Sequence, residues 1–153
     1  MPDLRRISRG RRAKGPSNCL GPALEQLVSR LAPTGSPTCH YEQIGSSEDI
    51  DEAVGPQVFR VAQEALTNAF RHAGADRITV TLTAAERSLR LSIQDDGYGI
   101  TPGDRSGIGI ASMHRRADQI GADLRIVAND DGGTTVTCIW RAGEEDRREM
   151  SEK

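Results

Sequence analysis

Gln57–His72 reads QVFRVAQEALTNAFRH, and the fold follows from how these residues are spaced. At about 100° per residue, Val58, Val61, Ala62, Ala65, Leu66 and Ala69 fall on one side of a helix, and Arg60, Glu64, Thr67, Asn68 and Arg71 on the other. The apolar stripe predicts a core-facing helix. The opposite face gathers a carboxylate, an amide and a guanidinium on adjacent turns, more than solubility requires. Two glycine-bearing segments downstream, DDGYGI (Asp95–Ile100) and SGIGI (Ser106–Ile110), turn that polar face into a candidate site.

The chain on either side is punctuated accordingly. Gly55-Pro56 stands near the helix start, and Gly74 after His72-Ala73 suits a left-handed cap. Upstream, Pro22–Leu31 predicts a short amphipathic helix through Ala23, Leu24, Leu27, Val28 and Leu31, ended by Ala32–Pro37. Cys39–Ile44 suggests an edge strand, and Gly45–Glu52 an acidic loop. Downstream, RITVTLT (Arg77–Thr83) and SLRLSIQ (Ser88–Gln94) alternate as the strands of a hairpin around Ala84–Arg87. The second strand runs straight into Asp95-Asp96-Gly97-Tyr98-Gly99. After a polar loop over Thr101–Ser106, Gly107–Ile120 reads as a helix closed by Gly121. Asp123–Ala128 and Thr134–Trp140 alternate again, joined by Asn129-Asp130-Asp131-Gly132-Gly133, a hairpin signal. Three or four strands in antiparallel hairpins, with helices of matching length, imply an α+β fold in two layers, the helices on one face of a mixed sheet. No repeat is visible.

A chain of 153 residues accommodates one cored domain. The division expected is a flexible basic arm over 1–17, a domain over 18–142 and a charged tail over 143–153. The formal net charge of −2 gives the whole molecule no strong field, although Arg5, Arg6, Arg9, Arg11, Arg12 and Lys14 crowd the first residues against Asp3 alone. Cys19, Cys39 and Cys138 are odd in number and form no C-x-x-C pair, which points to reduced thiols in the cytoplasm, with neither a disulfide framework nor a zinc site. No run of about eighteen apolar residues is present, so no membrane span is expected. Aromatics at 3% leave little for stacking on bases, which argues against a nucleic-acid module.

Gly107-Ile108-Gly109 opens a helix, where glycines let backbone N–H groups approach an anion and the helix terminus adds partial positive charge. Its place after a loop, rather than directly after a first strand, does not fit a dinucleotide fingerprint, and no G-x-x-x-x-G-K-[ST] exists. Asp95 at a strand end is either a turn carboxylate capping local amides or an acceptor for an adenine amine. Asn68 offers an amide oxygen to a hard cation. One amide holds Mg²⁺ only if the ion arrives with nucleotide phosphates and keeps several waters. Lys14 and Lys153 are the only lysines, both in the tails, so a cationic phosphate contact falls to arginine, with Arg71 one turn from Asn68 the best candidate.

QEALTNAFRHAGA, DDGYGI, and GIGIASMHRRADQIGA followed by GGTTV resemble, in order and spacing, the N box, the D-x-G-x-G box and the last glycine boxes of the ATP-binding domain of sensor histidine kinases. The likeness is greatest to kinases paired with NarL-type response regulators, within the superfamily of gyrase, MutL and heat-shock chaperone ATPases, and covers roughly residues 56 to 141. It implies a Bergerat-type ATP-binding fold, with ATP and Mg²⁺ as ligands. It also implies roles: Asn68 coordinates Mg²⁺, Arg71 contacts phosphate, and Glu64 occupies the position that polarises water in hydrolytic members. Asp95 recognises adenine, Gly97, Gly99 and Ile100 shape its pocket, and Gly107, Ile108, Gly109 and Ile110 line the phosphates below a lid over Ile100–Ser106. Thr134 matches the threonine after the last glycine box.

One departure stands out. A complete kinase of this type carries, upstream, a helix pair with a phosphoacceptor histidine followed by aspartate, and His40, His72 and His114 do not fit that context. The resemblance therefore implies a catalytic module acting on a dimerisation and acceptor domain in trans, with a response regulator downstream. A non-catalytic ATP-binding module and an anti-sigma-type serine kinase, with Glu64 as base, stay open as alternatives. A gyrase- or MutL-like hydrolase fits less well, because those proteins add a second domain with an active-site lysine.

Overall fold

The computed structural model describes residues 20–31, 37–47, 50–72, 74–98 and 108–143. In chain order its elements are α1 (Leu20–Leu31), β1 (Thr38–Ile44), α2 (Val54–His72), β2 (Arg77–Ala85), β3 (Ser88–Asp95), α3 (Ile108–Gln119), β4 (Asp123–Ala128) and β5 (Thr134–Arg141). The expected arm over 1–17, the segment 99–107 with its lid, and the tail from 144 onward lie outside the described residues.

Alternation builds the sheet. Ile78, Val80, Leu82 and Ala84 of β2 are buried, as are Leu89, Leu91, Ile93 and Asp95 of β3 and Thr134, Val136, Cys138 and Trp140 of β5. The five strands lie in the order β1-β2-β3-β5-β4, antiparallel throughout except that β1 runs parallel to β2. Register aligns Tyr41, Val80, Ile93, Val136 and Ile126 across all five, a single apolar row under the helices. The other face carries Thr79, Thr81, Ser92, Thr135 and Thr137 and is partly exposed. The sequence expectation of three or four strands in antiparallel hairpins thus gains a parallel edge strand. A parallel neighbour needs a crossover connection, and α2 is that crossover.

All six residues of the α2 apolar stripe are at most 4% exposed. Each buried Val or Leu contributes about 1.5–3 kcal/mol, so this stripe anchors the helix layer firmly. One start differs from the spacing: α1 begins at Leu20 rather than Pro22, while α2 begins at Val54, with Gly55-Pro56 near its start as expected; Pro22 and Pro56 sit in first turns, where a missing N–H is harmless. Asp51 marks the entry to α2, its carboxylate accepting the Ala53 N–H at 2.9 Å. The exit of α3 is a Schellman turn: Ala122 N–H reaches Ala117 O at 2.9 Å, Gly121 N–H reaches Asp118 O at 3.1 Å, and Gly121 has φ 68°. No helix among the described residues is long and apolar enough to cross a membrane.

Candidate functional site

Because the apolar stripe of α2 is locked onto the sheet, its other face has to look outward. Glu64, Thr67 and Asn68 are half-buried there, and Arg71 is exposed one turn further on. The first turn of α3 lies across this face. A Cβ at Gly109 would stand 2.7 Å from Glu64 Oε2 and 3.8 Å from Asn68 Nδ2. The absent side chain leaves bare backbone facing a carboxylate and an amide. The opening N–H groups of an α-helix have no intrahelical partner, so this terminus is placed to donate to an anionic oxygen. Glu64, Asn68 and Gly109 are therefore brought together from segments far apart in the chain. The side chain of Arg71 makes no hydrogen bond or ion pair to another described residue. The side chain of Ile110 is partly buried and packs on the core. Gly99, Ile100 and Gly107 lie outside the described residues, as does the side chain of Ile108.

A second cluster forms where β3 ends. Strand alternation turns Asp95 to the helix-covered side, where it is 7% exposed. Its Oδ1 accepts the Gly97 N–H at 2.9 Å and the Thr134 N–H at 3.3 Å. Thr134, at the start of β5, is itself buried. Gly133, with φ 89°, passes so close to the Asp95 carbonyl that any Cβ would collide with it, and a Cβ at Gly132 would meet Gly97 O at 3.3 Å. The hairpin turn between β4 and β5 thus braces the Asp95–Gly97 backbone from behind, a task that its turn chemistry alone did not reveal.

The neighbouring carboxylate does different work. Asp96 Oδ1 accepts the N–H groups of Asp76 and Arg77, each at 2.9 Å, and so ties the start of β2 to the end of β3. The Arg77 N–H bond is the main cause that holds the Asp96 carboxyl below the usual carboxylate value, with the Asp76 bond adding to it. The Tyr98 ring, 85% exposed, lies against Gly74 at the C-terminal end of α2, whose φ of 62° matches the left-handed cap expected there. That contact joins the Asp95 loop to the helix carrying Asn68.

On its other flank α2 borders an open cleft of about 410 Å³, lined by Leu27, Arg30 and Leu31 of α1 and by Gln63, Glu64 and Thr67. Among the described residues no group of three or more His, Cys, Asp or Glu side chains converges as a metal cluster. Cys39 and Cys138 are free thiols. Burial pushes each up to about 11, with Asp123 adding to the rise at Cys138, so both stay uncharged at neutral pH.

The family described as histidine kinase-, DNA gyrase B- and HSP90-like ATPase matches residues 53–144. The sensor histidine kinase LnrJ of Bacillus subtilis is 34% identical over 116 residues, which are 76% of this chain and 29% of LnrJ. The sensor protein VraS of Staphylococcus saprophyticus is 33% identical over 99 residues, 63% of this chain and 28% of VraS. The chain thus spans less than a third of the length of these relatives. The histidine kinase domain of a blue-light-activated histidine kinase from Erythrobacter litoralis superposes with a TM-score of 0.67 at 22% identity, covering 84% of this chain and 63% of that one. This likeness supports the two-layer α+β sandwich described above.

Proposed function

Given that the chain belongs to the histidine kinase-, DNA gyrase B- and HSP90-like ATPase family, we propose that it is the ATP-binding catalytic module of a two-component sensor histidine kinase. It passes the γ-phosphoryl of ATP to a protein histidine on a dimerisation and acceptor domain, and a NarL-type response regulator acts downstream. The observation that carries this reading is the bare backbone of Gly109 set against Glu64 and Asn68 at the mouth of α3.

The two clusters divide the nucleotide. Asp95 spends Oδ1 on two backbone amides, which fixes the carboxylate and aims its second oxygen at a donor such as the adenine amine. The phosphates lie along the first turn of α3, where N–H groups without an intrahelical partner and the helix dipole attract negative charge. The donor set fits a metal that comes with its substrate. Asn68 supplies one neutral oxygen, too little for a protein-held cation but suited to Mg²⁺ already carried by phosphates and waters. When bound, the ion offsets charge developing on the transferred group. Arg71, exposed one turn from Asn68, adds a cation from the protein, and Gly97 and Thr134 hold Asp95. In the transfer the bond from the γ-phosphorus to the bridging oxygen of ADP breaks, a bond to an imidazole nitrogen forms, and ADP leaves. The protein contributes position and charge neutralisation rather than a covalent intermediate. A cytoplasmic location belongs to the same proposal, in keeping with ATP as substrate and with the free thiols at Cys39 and Cys138.

Radiolabelled ATP tests the reading. Mixed with isolated acceptor domains of NarL-partner kinases, the protein should place acid-labile phosphate on the acceptor and little on itself. Arg71→Ala should slow transfer by roughly tenfold or more. Stoichiometric acid-labile phosphate on this chain, label on serine, or clear ATP binding without any transfer would each contradict it.

A further inference from the structure

α2 and α3 touch at a second point, remote from the proposed nucleotide. Arg116 Nη1 donates to Gln57 Oε1 at 3.3 Å, between residues 59 apart in the sequence. Gln57 lies seven residues before Glu64, and Arg116 lies seven after Gly109. Seven residues are close to two helical turns, so each pair shares a face and stands about 10.5 Å from the other along both helices. The numbers rise along α2 as they fall along α3, so the helices run antiparallel, pinned once at Glu64–Gly109 and once at Gln57–Arg116. Arg116 is only partly buried, yet its Nε is shielded from solvent and bonds nothing among the described residues. No carboxylate among them pairs with it either. A guanidinium held in that way costs desolvation that the single bond to Gln57 repays poorly, and a place in the last turn of α3 accounts for its charge but not for its inward aim.

We infer that Gln57 and Arg116 are positioning residues: their bond sets the slide and rotation of α3 on α2 and thereby places the Gly109 backbone against Asn68 and Glu64 at the phosphate end of the site. The inference rests on the nucleotide-site reading for its functional consequence, not for its structural one. Asp95, held by β3 and β5, is independent of this clamp.

The test compares Arg116→Leu, Gln57→Leu and the double variant with the parent protein. Affinity for Mg·ATP should fall about tenfold or more in each single variant, the loss expected for a hydrogen bond with one charged partner. The double variant should lose no more than either, as residues acting through one bond do. Adenosine, which reaches only the Asp95 end, should bind each variant as it binds the parent. Gln57→Glu should restore affinity when combined with Arg116→Lys. In nucleotide-free protein, amide exchange at Ser112–Arg115, the first amides of α3 bonded within the helix, should quicken in Arg116→Leu while the β3 amides stay protected. Equal losses for Mg·ATP and adenosine, additive losses, or unchanged exchange at Ser112–Arg115 would overturn the inference. If the parent binds neither ligand, the nucleotide reading fails, and the exchange arm still decides whether the clamp sets the helix.

Discussion

Gly109→Ala separates a packing glycine from a phosphate-site glycine, because the two roles predict different outcomes. The new methyl would stand 2.7 Å from Glu64 Oε2, closer than a carbon–oxygen contact allows, while Asn68 Nδ2 at 3.8 Å is in ordinary contact. The atom that has to yield is the end of a flexible side chain, and turning the Glu64 carboxylate aside costs about 0.5–1.5 kcal/mol. Against this, Ala replaces Gly in a helix with a gain of about 0.8–1 kcal/mol. The two nearly cancel, so thermal unfolding should move by no more than a few degrees in either direction. Binding has no such offset. The methyl fills the gap that an anion would occupy and pushes a carboxylate towards it, so affinity for Mg·ATP should drop by at least about tenfold, the equivalent of one lost charge-assisted bond. A thermal melt and a titration with a fluorescent ATP analogue, run on the same preparation, read both numbers. Unfolding of the variant would show that Gly109 serves packing alone. A stable variant that binds Mg·ATP as tightly as the parent would refute the placement of the phosphates beside α3.

Asn68→Ala should leave the cooperative melt intact, since its side chain lies opposite the buried stripe, and should abolish the magnesium dependence of ATP binding; loss of the melt would make the residue structural. Asp96→Asn probes acid stability. The carboxyl of Asp96 is lowered in the folded protein by its backbone bonds, so its contribution is full above the usual carboxylate value of 3.8 and fades as pH falls through the lower folded value. Melting temperature measured from neutral pH down into that range should therefore decline less steeply in Asp96→Asn, and an unchanged slope would show that the two amide bonds do not favour the charged form.

The helix stripe and the alternating strands were legible because burial follows period, and every apolar residue assigned to the central helix is in the core. The direction of β1 was not legible. TCHYEQI is an edge strand with weak one-sided burial, and its pattern is the same whether it runs parallel or antiparallel to β2. At the site, residue types announced the chemistry but not the neighbours. Asn68 and Asp95 could be picked out as amide and carboxylate in the right contexts, whereas the approach of Gly109 to Glu64 depends on how two helices cross, which no local pattern encodes. Asp95 and Asp96 are chemically identical in sequence. Alternation along β3 sends Asp95 inward to Thr134, whereas the turn that carries Asp96 to the amides opening β2 has no such pattern. The Gln57–Arg116 contact is invisible for the same reason, being a side-chain meeting between elements 59 residues apart.

The claim on which the rest depends is that Asp95 reads adenine at a Mg·ATP site. Calorimetric titration of the parent protein and of Asp95→Asn with Mg·ATP and Mg·GTP tests it most directly. The substitution keeps an oxygen for the Gly97 and Thr134 amides but replaces the second acceptor with a donor, so the fold should persist. The parent should bind ATP well and GTP weakly, and the variant should lose about 1.5–3 kcal/mol of ATP affinity. Equal affinity for the two nucleotides in the parent, or unchanged ATP affinity in Asp95→Asn, would contradict it.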